Sequence, residues 1–167
     1  VNDVEQVFLN PGEFHFSAGH RRIGTVLGSC VAVTLWHRQA HCGGMCHFIL
    51  ADRGGRPRGA SPDGRYAVEA FELFDQGIAR HGTRAADYEA KLFGGGNMFP
   101  GKPLPAGQAV GINNIAAARR LLEARGIPLV AEHAGGTGHR RVYFDLWNGE
   151  AWLRFSNVDK KEKAACG

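Results

Sequence analysis

The first third of the chain holds the residues whose types and spacing could do chemistry. Cys30 directly follows the bend Gly28-Ser29, and His47 lies on the next strand-like segment. A thiol becomes a useful nucleophile near neutral pH when a base or cation stands beside it, and histidine is the usual base. The flexible bend could also aim backbone N–H groups at a developing oxyanion. The pairing depends on one sharp structural condition. If the hairpin between the two segments turns near Gln39 or Ala40, Cys30 faces Ile49, and His47 becomes its diagonal neighbour on the same face. A slip of one residue puts them on opposite faces. On residue types alone, the plainer reading of Cys30 is a small apolar residue buried beside a strand, and that reading stands ahead.

Three other groupings compete with this pair. His41-Cys42-Gly43-Gly44-Met45-Cys46-His47 concentrates zinc-type donors, and a small zinc protein built on Cys42, Cys46 and neighbouring histidines is one alternative. On a strand, however, Cys46 and His47 point to opposite faces and cannot share one ion. Cys42 and Cys46 then read as packing residues. Gly96 to Lys102 matches the spacing of a phosphate-binding loop, but Pro103 stands where a magnesium-binding hydroxyl is needed. Ser29 lacks the Gly-x-Ser-x-Gly elbow of a serine nucleophile.

The elements that must position these residues follow from pattern. Val4 to Leu9 is a short strand closed by Asn10-Pro11-Gly12, and Glu13 to Ser17 alternates weakly. Ile23 to Leu27 and Val31 to Trp36 are dense in β-branched residues, and Met45 to Leu50 completes a hairpin. Asp52 to Gly64, rich in Arg, Gly and Pro, reads as a mobile surface loop. Apolar residues at Ala67, Ala70, Phe71, Phe74 and Ile78 predict a helix capped by Asp63 or Ser61 and ended by Gly82. A second helix is predicted over about 113–125, with Ile112, Ile115, Ala116 and Leu122 on its apolar side and Gly126 at its end. Tyr88 to Phe93 and Leu129 to Glu132 read as strands. Val142 to Leu146 and Ala151 to Phe155 flank Asn148-Gly149, a strong hairpin turn. The predicted fold class is α+β, a layered sandwich of mainly antiparallel or mixed sheet with two principal helices.

Composition narrows the function classes. A chain of 167 residues is read as one domain, with a core over about 7–155 and a mobile tail over 156–167. Four cysteines are too few for a disulfide scaffold in a domain that needs none. No apolar run is long enough to span a membrane, and Asp3 and Glu5 stand where a secretion signal would be basic and apolar, so the expected location is the cytoplasm without membrane insertion. Lys plus Arg exceed Asp plus Glu, 20 against 16, but in scattered pairs such as Arg21-Arg22 and Arg140-Arg141. That pattern argues against nucleic-acid binding and is compatible with an acidic protein partner. A non-catalytic adaptor using the basic surface and the Asp52 to Gly64 loop is the second alternative.

Several motifs in order resemble one family. Asn10-Pro11-Gly12-Glu13, Thr25-Val26-Leu27-Gly28-Ser29-Cys30-Val31-Ala32-Val33 and Gly43-Gly44-Met45-Cys46-His47-Phe48-Ile49-Leu50 look like the chemoreceptor glutamine deamidases of bacterial chemotaxis, the CheD family. The resemblance continues through Arg65-Tyr66-Ala67, Lys91 to Phe99, Gly111-Ile112-Asn113-Asn114, and Gly135-Gly136 before Arg140. It implies an active-site architecture similar to cysteine-dependent deamidating toxins, with Cys30 as nucleophile, His47 as base, and Thr25 as the residue that orients the histidine. Some members carry that threonine one place earlier, where this chain has Gly24. The implied oxyanion donors are backbone groups near Gly28, Ser29 and Cys30, and no cofactor or metal is implied. The implied substrates are glutamines of methyl-accepting chemotaxis receptors, and a CheC-type phosphatase is a further implied partner. Gly28 and Gly43-Gly44 are expected to shape the approach to the thiol, with Gly94 to Gly96 and Gly135-Gly136 lining or buttressing the same site.

Overall fold

The computed structural model describes residues 3–102 and 109–157. Pro103, the lysines at 160, 161 and 163, Cys166 and all of the expected tail except Ser156 and Asn157 lie outside the described residues. Nine strands, two helices and a short 3-10 turn follow one another in the described chain. They are β1 (Glu5–Leu9), β2 (Phe14–Ala18), β3 (Arg21–Leu27), β4 (Val31–His37), β5 (Cys42–Phe48), α1 (Ala67–Arg80), β6 (Tyr88–Gly94), α2 (Val110–Ala124), β7 (Leu129–Ala134), β8 (Gly138–Asp145) and β9 (Ala151–Asn157).

The strands form two sheets. One has five strands in the order β2-β5-β4-β6-β7, and the other has four in the order β1-β3-β8-β9. The five-stranded sheet is the middle layer. On one face Val31, Val33, Leu35, Cys46 and Phe48 pack with Phe71, Phe74, Ala118 and Leu122 of the helices. On the other face Ala32, Trp36, Met45 and Phe93 pack with Ile23, Leu27, Val142 and Phe144 of the four-stranded sheet. Every residue of β4 and β5 is therefore buried, which is why Val31 to Trp36 reads as one apolar run without alternation. The fold is α+β with mixed sheets: β1–β3 and β6–β7 are parallel pairs, and the remaining pairs are antiparallel.

Both helices end as their glycines predict. At α2 the Gly126 N–H reaches the Glu123 carbonyl and the Ile127 N–H the Leu122 carbonyl, which closes the last turn. The beginnings differ from expectation. Tyr66 is the N-cap of α1 and makes no side-chain capping bond; the Asp63 carboxylate instead holds the Arg65 N–H and guanidinium. Helix α2 starts at Val110, and its buried side is Gly111, Asn114, Ile115, Ala118 and Leu122, leaving Ile112 exposed. The Asp52 to Gly64 segment is irregular, as predicted, but ion pairs pin it to α1. Arg53 Nε and Nη2 grip the buried Glu69 carboxylate at 2.6 and 3.0 Å, and Arg58 pairs with Glu72.

Candidate active site

Gly28-Ser29-Cys30 is the point where the chain leaves the four-stranded sheet and enters the five-stranded one. The bend is held by the glycine turn that follows β6. Gly95 N–H donates to the Cys30 carbonyl at 2.9 Å, and Gly96 N–H to the Gly28 carbonyl at 3.0 Å. Gly94 sits at φ +107°, and a Cβ there would fall 2.2 Å from the Cys30 oxygen, so only glycine fits. A third turn joins them, because Gly135 N–H donates to Gly94 O and Asn97 N–H to Gly136 O. Gly94 to Gly96 and Gly135-Gly136 thus buttress the bend. No backbone carbonyl of the described residues accepts from the Ser29 or Cys30 N–H. Gly43 and Gly44 have a different task from the one expected. They lie opposite Trp36 and Leu35, away from Cys30, and a Cβ would meet the Leu35 oxygen at 1.9 Å or the His15 oxygen at 2.2 Å. They let β5 pass close between β4 and β2.

The hairpin register meets the sharp condition. Val31 pairs with Phe48, where the ladder ends, and Ala32 pairs with His47; Cys30, one residue before the ladder, packs on the same inter-sheet side. His47 shares the inter-sheet face with Ala32 and Met45. Across that interface it meets Thr25 of β3, whose Oγ1 lies 2.7 Å from His47 Nδ1. The same hydroxyl donates to the Leu9 carbonyl at 2.8 Å. A hydroxyl has one proton, so Thr25 Oγ1 must accept from Nδ1–H. The imidazole proton is thereby fixed on Nδ1, and Nε2 is left with a lone pair. Nε2 is buried and has no hydrogen-bond partner among the described residues. Burial holds the ring's pKa down to about 4, against smaller upward pulls from the Leu9 carbonyl and the Glu13 carboxylate. His47 is a neutral base with its acceptor nitrogen unoccupied.

Cys30 is half-buried and packs on the inter-sheet cluster, the layer that also holds His47. Burial raises its pKa, partly offset by its own backbone N–H. The inter-sheet layer therefore holds a thiol and a neutral imidazole, and no hydrogen bond joins Sγ to Nε2. The other described cysteines sit elsewhere. Cys42 and Cys46 face the helices; Cys42 Sγ lies 3.2 Å from the Tyr88 hydroxyl, and burial pushes the Cys46 thiol up to about 12. The zinc grouping is split between two faces of one sheet, and among the described residues no three His, Cys, Asp or Glu converge.

Two residues at the site carried no role in the sequence reading. Asn114 is buried on the first turns of α2 and donates Nδ2–H to the Ile49 carbonyl at 2.8 Å, with Ser29 O at 3.4 Å. One amide thus ties the cysteine bend to the end of the histidine strand. Its place in Gly111-Ile112-Asn113-Asn114, with an amide on the buried side of an otherwise apolar helix face, was the available clue. Asn114→Ala is expected to cost about 2 kcal/mol by leaving a buried carbonyl unpaired, read from urea unfolding. Arg140 is buried beside the third turn, with Nε 2.8 Å from His133 Nδ1, Nη2 2.6 Å from Gly135 O, and its guanidinium over the Phe155 ring.

Comparison with known proteins gives the family. A family model described as CheD chemotactic sensory transduction matches residues 49–155. A curated relative from Dechloromonas aromatica (strain RCB), named probable chemoreceptor glutamine deamidase CheD 3, is 51% identical over 154 residues, covering 92% of this chain and 89% of its own. A span that long in a chain of 167 residues takes in both Cys30 and His47. The probable chemoreceptor glutamine deamidase CheD of Pseudomonas savastanoi pv. phaseolicola (strain 1448A / Race 6) is 45% identical over 97% of this chain and 91% of its own. That of Pseudomonas fluorescens (strain SBW25) is 49% identical over 89% of this chain and 84% of its own. No helix among the described residues is long and apolar enough to cross a membrane. With a family match over more than half its length and relatives near half identity across almost all of it, the chain belongs to the CheD family.

Proposed function

We propose that the protein hydrolyses side-chain amides of glutamines in the cytoplasmic helices of methyl-accepting chemoreceptors, giving glutamate and ammonia, with Cys30 as nucleophile, His47 as general base and acid, and Thr25 as the positioning residue. The observation that carries this reading is the Thr25–His47 contact. It leaves Nε2 as an unoccupied base on the sheet face that Cys30 shares. The names of the curated relatives supply the substrate class.

With the thiol and imidazole both neutral, the thiolate forms during attack. As Sγ bonds to the carboxamide carbon, the S–H proton passes to Nε2, and the carbonyl π electrons move to oxygen. The Ser29 and Cys30 N–H groups are the available oxyanion donors. Collapse breaks the C–N bond, and the Nε2 proton leaves with nitrogen as ammonia. Water, losing a proton to Nε2, then attacks the thioester; the C–S bond breaks and the proton returns to sulfur. No cofactor enters the sequence. The product carboxylate adds a negative charge to the receptor surface.

The test is mass spectrometry of a chemoreceptor cytoplasmic fragment incubated with the protein. A gain of about one dalton at particular glutamines, where –OH replaces –NH2, is expected; an unchanged fragment overturns the reading. Thr25→Val is expected to lower kcat/KM by roughly 10- to 100-fold, because Nδ1–H loses its acceptor and the ring can hold its proton on Nε2. Thr25→Ser keeps the hydroxyl and is expected to retain activity. Nitrogen NMR of the imidazole distinguishes loss of the tautomer from general destabilisation.

A further inference from the structure

The four-stranded sheet packs one face on the inter-sheet core, and the described residues leave the other uncovered. The register sets Phe8, Gly24, Tyr143 and Trp152 in one cross-strand row, with Val26, Arg141 and Arg154 in the next. Phe8 and Trp152 are each 54% exposed, and Val26 is 40% exposed. Arg141 and Arg154 stand directly opposite one another, an arrangement that costs stability on a sheet unless negative charge lies between them. Neither pairs with a carboxylate among the described residues. The strand residues on this face include one acid, Asp145, and it is consumed by Arg22 at 2.6 and 2.9 Å and by Trp152 Nε1 at 3.0 Å. Among the described residues the face is aromatic and cationic with no free counter-charge.

We infer that this outer face is a docking surface for a protein segment that carries carboxylates beside apolar side chains. Under the reading proposed above, on which this identification rests, that segment belongs to the chemoreceptor substrate. Aromatic and arginine side chains are the types that anchor protein interfaces. The Arg141–Arg154 pair supplies the charge that a carboxylate completes. Two of the aromatic rings are held in place by the sheet. A Cβ at Gly24 would fall 2.9 Å from Tyr143 Cε1, so the tyrosine ring covers the glycine, and Trp152 is tethered through its indole N–H. A protein is favoured over a single-stranded nucleic acid because the basic residues of the chain are scattered in pairs and form no continuous stripe. The surface is linked to the site through Arg140, which lines a cavity on it and bonds to the Gly135 carbonyl. That shallow cavity of about 370 Å3, lined also by Val26, His139, Arg141 and Arg154, opens where β3 runs into the Gly28 bend.

The test compares the full wild-type chain with the double variant Arg141→Glu/Arg154→Glu on a chemoreceptor cytoplasmic fragment. The double variant is expected to raise KM about tenfold and weaken direct binding equally, with kcat and the rate of Cys30 alkylation by iodoacetamide unchanged. Wild-type binding is expected to weaken as salt rises. Phe8→Ala, which alters no charge, is expected to raise KM in the same direction and keeps the proposal testable if the double variant does not fold. Unchanged KM and binding in both variants overturn it. So does tighter binding of a single-stranded oligonucleotide than of the fragment, or a wild-type dimer that the double variant dissolves. If the wild-type chain leaves the fragment's glutamines intact, the deamidase reading fails, and the docking surface is then judged by fragment binding alone.

Discussion

Replacing Cys30 with alanine is expected to abolish ammonia release from a chemoreceptor fragment while leaving the fold in place. The substitution removes one sulfur from a half-buried position at the rim of the inter-sheet cluster, and the bonds that hold the bend use the Cys30 and Gly28 carbonyls, not the side chain. Circular dichroism and the unfolding midpoint should therefore stay near those of the wild type. Among the described residues no other thiol can take its place, because Cys46 is fully buried with a thiol held near 12, and Cys42 lies on the same helix-side face. Cys46→Ala is the matched control: it should lose stability through a cavity in the core and keep its turnover number. Residual deamidation in Cys30→Ala at the wild-type rate would sink the assignment.

The second large effect is expected from His47→Gln. General acid–base assistance is worth about 10²- to 10⁴-fold, so turnover should fall within that range while Cys30 remains alkylatable. The same substitution should change the response to acid. In the folded protein His47 holds its proton only below about pH 4, whereas its ordinary value is 6.5. As pH falls below 6.5 the unfolded chain takes up a proton that the folded one refuses, so stability drains away from pH 6.5 down to about 4. The loss amounts to about 3 kcal/mol, and it should be missing from His47→Gln in urea unfolding followed between neutral and acid pH. A depressed histidine also predicts that the acid limb of kcat/KM lies well below pH 6. Equal acid sensitivity in both proteins would show that the ring is not buried as a neutral base.

Local patterns exposed much of this arrangement in the sequence. The β4–β5 hairpin was legible because two apolar runs flank a polar turn, but its register was legible only as a condition on the turn, which the pairing of Ala32 with His47 meets. The β8–β9 hairpin was legible for the same reason, through Asn148-Gly149. What local pattern could not reveal was pairing between distant segments. Ile23 to Trp36 reads as nearly one apolar stretch, yet its halves belong to different sheets, and only the packing of β3 on β8 shows it. The parallel pairing of β1 with β3 brings the Leu9 carbonyl to Thr25, and without that acceptor the tautomer of His47 is undetermined. Helix α2 begins earlier than its apolar periodicity suggests because Gly111 packs against Gly95 and Asn114 bonds to Ile49, contacts that no helix-face pattern encodes.

The cysteine and the threonine sit at opposite ends of a single crossing between sheets, and the histidine belongs to the second sheet alone. Nothing local to any one strand makes the imidazole hold its proton on Nδ1; the Leu9 and Thr25 groups reach it only after the two sheets have closed on each other. Such long-range closure comes late in assembly, since the loops must be drawn in before the contacts reward them. A half-folded chain thus carries an ordinary, unaided thiol and an imidazole free to protonate either nitrogen. Under the proposed mechanism, hydrolytic competence therefore requires both sheets to be closed on each other.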